Sequence, residues 1–286
     1  MPIDFDNLLA LKIPEVTQAY TEKDAILYAL GIGLGCDPMD ADELPFVYEQ
    51  SLKVLPTFAA VLGWPGFWVR DLDTGIDWVK VVAGEQGLVL HRPLAARGTV
   101  IGRTRVTEII DKGAGKGAHV YSARDLIDGV SGEKIATVTH TTVCRGDGGF
   151  GGPERAAPAV HPIPQRAPDL VCDRGTRPEA ALIYRLSGDP NPLHADPAVA
   201  QAAGFPRPIL HGLASFGIAC HGILKCVCDH DPGRLKAISG RYSAPVFPGE
   251  TIRTEMWRDG PIVSFRARVV ERDVIALNNG RCELTV

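Results

Sequence analysis

The chain has 286 residues, 45% of them hydrophobic and 22% charged, with a formal net charge of −4. That balance fits a globular protein with a sizeable core and excludes a disordered chain. The slight acidity gives no electrostatic case for a nucleic-acid or anionic-membrane partner, and no apolar run approaches the ~18 residues that cross a bilayer.

The N-terminal MPIDFDNLLA is acidic and lacks the basic start and apolar core of a signal peptide, and the final CELTV is no address signal, so a soluble cytoplasmic protein is expected. After it, TEKDAILYALGIGLG (Thr21 to Gly35) carries apolar residues at helical spacing: Ala25, Ile26, Ala29 and Leu30. Its GIGLG follows a helix instead of a strand, which is the wrong context for a dinucleotide turn. GEQG at Gly84 is expected to be a tight turn between strands. Three alternating segments follow, TVIGRTRVTEIID, HVYSARDLID and KIATVTHTTVC. KGAGKGAH, between the first two, lacks the Ser or Thr of a phosphate loop and is expected to be a hairpin turn.

Arg145 to Asp169 is rich in Gly, Pro and Ala and has no periodicity. It suggests a division into residues 1–150, a linker at 151–170, and residues 171–286. The second part opens on TRPEAALIYRLSG, where Thr176 and Glu179 are expected to form a capping box with Pro178 in the first turn. DPAVAQAAGF then has Asp196 as N-cap, Pro197 at the first helical position and Gly204 as the terminator. PRPILHGLASFGIACHGILKCV is apolar nearly all round, the pattern of a helix enclosed by a sheet. Seven cysteines are an odd number in a chain that needs no staples, so reduced thiols are expected. CHGILKCVCDH fits no zinc spacing, and no metal is expected.

The two parts can be superimposed: Tyr28 and Leu30 match Tyr184 and Leu186, and RGTV at Arg97 matches PGET at Pro248. A duplicated helix-plus-antiparallel-sheet module, an α+β fold, follows. Gly33 and Pro38 stand where the second copy has Asp189 and His194, so the polar pair occurs once.

YRLSGDPNPLHAD is the informative segment. Asp189, Asn191 and His194 lie within six residues, stiffened by Pro190 and Pro192. Each has a bland explanation, since Asp is an ordinary turn residue and a loop His often bonds backbone. Together, a carboxylate and an imidazole can hold one water and trade protons with it. Asn191 can orient that water. Gly212 stands where a helix begins, and an unpartnered N–H there can stabilise an oxyanion. His211 beside it reads as a packing or supporting histidine.

YRLSGDPNPLHADPAVAQAAGFPRPILHGL resembles the hydratase motif of the MaoC-like, (R)-specific type 2 enoyl-CoA hydratases. YTEKDAILYALGIG, LPTF, WVKVVAGEQ, GGFGG and YSAPVFPGETIRTEMW are similar to the hydratase unit of peroxisomal multifunctional enzymes, and nearly the whole chain is covered. The chain departs from those in lacking an attached dehydrogenase or sterol-carrier domain, which implies a free-standing bacterial hydratase.

The resemblance implies a double hot dog: two modules, each an antiparallel sheet around a central helix. It implies syn addition of water to a trans-2-enoyl-CoA, giving a (3R)-3-hydroxyacyl-CoA. Asp189 and His194 would handle water and protons, Asn191 would support the loop, and the N–H of Gly212 would take the thioester oxygen. Lys80, Leu55, Pro56, Arg241 and Tyr242 match positions expected near coenzyme A. No cofactor is implied, the acyl-CoA being the substrate, and a homodimer is expected. The degenerate first module, with LPTFAAVLGWPGFWV, is expected to hold the acyl tail. A hot-dog acyl-CoA thioesterase and a specialised small-acid CoA dehydratase are the alternatives.

Overall fold

The computed structural model describes residues 2–153 and 156–285. The first half runs α1 (Phe5–Leu9), β1 (Val16–Tyr20), α2 (Glu22–Gly31), α3 (Trp68–Asp71), β2 (Val81–Leu90), β3 (Gly98–Asp111), β4 (Ala118–Asp128) and β5 (Lys134–Cys144). The second runs β6 (Leu170–Gly175), α4 (Ala180–Tyr184), α5 (Pro197–Ala202), α6 (Gly212–Val227), β7 (Leu235–Tyr242), β8 (Thr251–Asp259), β9 (Ile262–Val269) and β10 (Val274–Leu284).

All ten strands form one antiparallel sheet in the order β1-β3-β4-β5-β2-β7-β10-β9-β8-β6. Read outward from the centre, the sequence of each half is the same, with β2 and β7 as counterparts. These two central strands pair from Glu85↔Arg241 to Val89↔Ala237, and that seam welds the halves. The duplication expected from the sequence is therefore a two-fold plan in one sheet.

The sheet encloses α6. Twelve of its sixteen residues are buried, and Phe216, Ile223 and Leu224 join Ile252, Phe265 and Leu277 of the strands in one core. The Tyr28 side chain of α2 and Ile32 just after it reach α6 at Gly217, where an added Cβ would lie 2.8 Å from the Tyr28 hydroxyl oxygen and 3.0 Å from Ile32. A side chain at Gly217 would push the helices apart.

The first half has no helix of that length. Its counterpart is the 3-10 turn Pro56–Ala60, every residue of it buried, packed on β2, β5 and α6. The sequence enforces the shortness. Pro56 can only begin a turn, Gly63 adopts φ +60° against the backbone of Gly102, and Pro65 forbids continuation. Arg124 of β4 occupies part of the space and donates to the Ala60 carbonyl (2.5 Å).

Several local expectations need correction. α2 ends at Gly31 instead of Gly35, and Leu30 is exposed while Tyr28 takes the buried position. Thr176 and Glu179 form no capping box: α4 has no side-chain cap, and the Thr176 hydroxyl bonds Glu250 and Gly249 instead. The tertiary partner outcompetes the local one because it fastens α4 to the start of β8. GEQG is not a turn but lies inside β2, where a bulge between Ala83 and Glu85 absorbs the glycine. The Gly/Pro/Ala-rich segment forms no helix or strand among its described residues. It is nonetheless tied to the sheet, by His161 to Ser264 and Asn279, and by the Arg166 carbonyl to Trp257. All seven cysteines are free.

Candidate active site

The polar loop is built by its own turn chemistry. After α4 a 3-10 turn, Arg185–Ser187, is halted by Gly188 at φ +122°, a conformation only glycine takes easily. The Asp189 carboxylate accepts from the Asn191 N–H (3.2 Å), and the Asn191 side-chain oxygen accepts from the Leu193 N–H (3.0 Å). Pro192 then opens the turn Pro192–His194, and Asp196 caps α5 through the Ala198 N–H. Asn191 thus works as the brace of the loop. Its oxygen is committed there.

His194 is buried, and its Nδ1 lies 2.8 Å from the Ile209 carbonyl. A carbonyl only accepts, so Nδ1 carries the proton and neutral His194 presents a bare Nε2 to the site. Burial lowers the His194 pKa below its ordinary value, against the raising effects of the Ile209 bond and of Asp189. The neutral, proton-accepting form is favoured.

His211, read from the sequence as a packing or supporting histidine, packs directly on the polar loop. Its ring stacks on His194 (3.7 Å between centroids, 27° between planes) and its Nε2 donates to the Asp189 carbonyl (3.2 Å). Burial, with His194 nearby, pushes its pKa down to about 3, so it stays neutral. Tyr184 covers the other side of the ring at 4.9 Å. The signal available in the sequence was a histidine at a helix N-cap, where Ser or Asp is the usual choice.

That choice has a consequence at Gly212. His211 is the N-cap of α6 yet makes no side-chain cap bond, and the Gly212 N–H has no partner among the described residues. A Ser or Asp would have competed for the free helix-start N–H groups. Gly212 also lies against Tyr242: an added Cβ would sit 2.9 Å from that ring. Glycine is required by that contact.

Asp189, His194 and His211 each place one polar side-chain atom within 4.8 Å of the others'. That spacing lets a single water bridge two of them at about 2.8 Å. One nitrogen of each ring, His194 Nδ1 and His211 Nε2, is already committed to a backbone carbonyl.

The expected coenzyme residues are divided. Arg241, ion-paired to Glu85 (2.6 Å), and Tyr242 line a cavity of about 300 Å³ with Gly84, His119, Thr141 and Arg145. Lys80, paired to Asp77 (2.7 Å) and exposed, stands at the entry to β2, its carbonyl bonded to the Arg145 N–H. Leu55 and Pro56 do not join them. Leu55 is a core residue, 2% exposed, and Pro56 lines a separate cavity of about 140 Å³ with Leu52, Leu90 and Pro232. Ala60 and Val61 are likewise buried.

Residues 18–146 match the MFE-2 hydratase 2 N-terminal domain and residues 159–279 the MaoC like domain. The chain is 42% identical to the peroxisomal enoyl-CoA hydratase 2 of Arabidopsis thaliana, over 95% of this chain and 93% of that one. The protein belongs to the MaoC-like type 2 enoyl-CoA hydratase family. A solved MaoC-like dehydratase from Phytophthora capsici superimposes on this hydratase-family chain with a TM-score of 0.85, at 35% identity over 98% of both chains. A Mycobacterium tuberculosis protein described as a double hotdog shares the fold at 16% identity and a TM-score of 0.58, covering 99% of this chain and 98% of its own. Among the described residues, no helix of this family member is long and apolar enough to cross a membrane.

Proposed function

We propose that the protein hydrates trans-2-enoyl-CoA to (3R)-3-hydroxyacyl-CoA, and catalyses the reverse dehydration, at Asp189, His194 and Gly212. The observation that carries this reading is the convergence of a carboxylate and a bare imidazole Nε2 beside a helix start whose N–H is free.

Water gives a proton to His194 Nε2, with Asp189 holding its other hydrogen, and its oxygen bonds the β-carbon. The electron pair of the double bond moves toward the thioester, whose oxygen takes the Gly212 N–H. The Asp189–His194 pair then returns a proton to the α-carbon. Both protons travel on one side of the substrate, which gives syn addition. Proton transfer of this kind contributes roughly 10²–10⁴ in rate, and one oxyanion donor ~10²–10³.

The coenzyme A arm enters by the cavity beside Arg241 and Tyr242. Beyond Glu85, β2 pairs only with β5, so β2 and β7 fork there, with Gly84 on one side and Tyr242 on the other. Tyr242 touches Gly212 as well, which joins this cavity to the catalytic loop. Lys80, Arg241 and Tyr242 remain the proposed coenzyme contacts, while the burial of Leu55 argues for a place in the wall.

The test is a pair of assays. Crotonyl-CoA should lose its conjugated-thioester absorbance, while butyryl-CoA should release no free thiol. Thiol release without hydration would make the protein a thioesterase.

A further inference from the structure

We propose that His211 is a positioning residue that aims the Asp189 carboxylate and shuts His194 off from solvent. The inference rests on the hydratase reading. Two separate contacts carry it. The Nε2–H of His211 donates to the backbone carbonyl of Asp189, the one side-chain bond to that residue's backbone among the described residues. The ring lies flat on His194 at 3.7 Å, backed by the Tyr184 ring.

The first contact fixes the direction of Asp189. Asp189 itself is otherwise bonded only locally, to the Asn191 N–H, among the described residues, while the loop's other distant tie is at His194, to Ile209; Asp189 is half-exposed. His211 belongs to a different element, the start of the sixteen-residue α6, so its bond refers Asp189 to the helix that also carries the Gly212 N–H. The water-holding carboxylate and the oxyanion donor are thereby set relative to one another, where a misplacement of about 1 Å can cost about 10²-fold.

The second contact acts on His194. Burial is the main cause that lowers its pKa, and the stacked face of His211 supplies part of that burial. The charged or titratable groups facing the pair are Asp189 on the loop, Arg185 and Tyr184 at α4, and the histidines themselves. Asp189 raises the His194 value and Arg185 lowers that of His211. Neutral His211 adds no charge to His194, while a cation stacked there would oppose its protonation during turnover.

Two substitutions separate the roles. Gln places an amide N–H near the position of Nε2 without a ring; Phe keeps a ring without a donor. In His211→Phe, kcat on crotonyl-CoA should fall about tenfold or more, KM should be unchanged, and the acid limb of kcat/KM should not move. In His211→Gln, kcat should stay within a few-fold of wild type while the acid limb moves upward. Equal losses of kcat in both variants with unmoved acid limbs, or wild-type behaviour in both, would overturn the proposal. Nitrogen NMR of the intact wild-type protein gives a check that survives a misfolded variant. His211 should be neutral with its proton on Nε2 at pH 7, and a proton on Nδ1, or a charged ring, would refute the assignment. If wild-type protein fails to hydrate crotonyl-CoA, the functional reading falls, while the NMR result still decides the geometry.

Discussion

Asp189 and His194, the proposed acid–base pair, share a loop, the first half-exposed and the second buried against His211. Asp189→Asn and His194→Gln should each lower kcat by roughly 10²–10⁴; the unfolding midpoint should be unchanged in the first and fall in the second, which loses a buried, stacked ring. The double variant should be little worse than either single one, because the two act as a unit. Near-wild-type turnover in either single variant contradicts the assignment. The pH profile follows from the direction of the His194 shift. The active form is neutral, and burial lowers the pKa, so the acid limb of kcat/KM should lie below the ordinary imidazole value of ~6.5. A limb at or above that value would place the titrating base elsewhere. These residues were legible because their partners are near in sequence. The contacts by which His211 packs on and braces the loop were not legible, because its partners, Asp189 and His194, are distant enough that only the fold stacks the rings.

At the scale of elements, α5, α6, β3, β4 and β5 could be read from periodicity and caps. What failed were places where a distant partner outbid a local one. Thr176 bonds Glu250 and Gly249 instead of closing its own helix, and Gly84 is absorbed by a bulge because β5 lies beside it. Glu43 is a further case: 1% exposed, it pairs with Arg174 (2.8 Å) and the Gly35 N–H (2.9 Å), and no short-range pattern reveals this. The start of α6 supplies a test with a built-in control. Gly212→Ala keeps the N–H but strikes Tyr242; Gly212→Pro meets the same ring and also loses the N–H. Turnover should fall in both, and in the proline variant by a further ~10²-fold or more. Equal activity in the two variants would move the oxyanion donor away from this backbone.

At the scale of the whole molecule, duplication was visible, but the loss of the first helix was not. Pro56, Gly63 and Pro65 lie in LPTFAAVLGWPGFWV, the segment expected to hold the acyl tail, and only the sheet shows that it stands where its twin has α6. The shortened element is fully buried and Arg124 reaches under it, so an acyl tail directed there must share the space with packed side chains. If the tail does use this half, each methylene adds at most ~0.8 kcal/mol, about fourfold. kcat/KM should then rise gradually across a C4 to C16 enoyl-CoA series. Activity confined to C4 would show the first half to be filled.

The central claim is that one carboxylate and one imidazole, on one side of the substrate, deliver both parts of water. Hydration of crotonyl-CoA in deuterium oxide, with the configuration of the product read by NMR, tests it most directly. The family likeness predicts a single (3R) product, and the one-sided site predicts deuterium and hydroxyl added to the same face. A (3S) product, or a mixture of faces at the α-carbon, would contradict it.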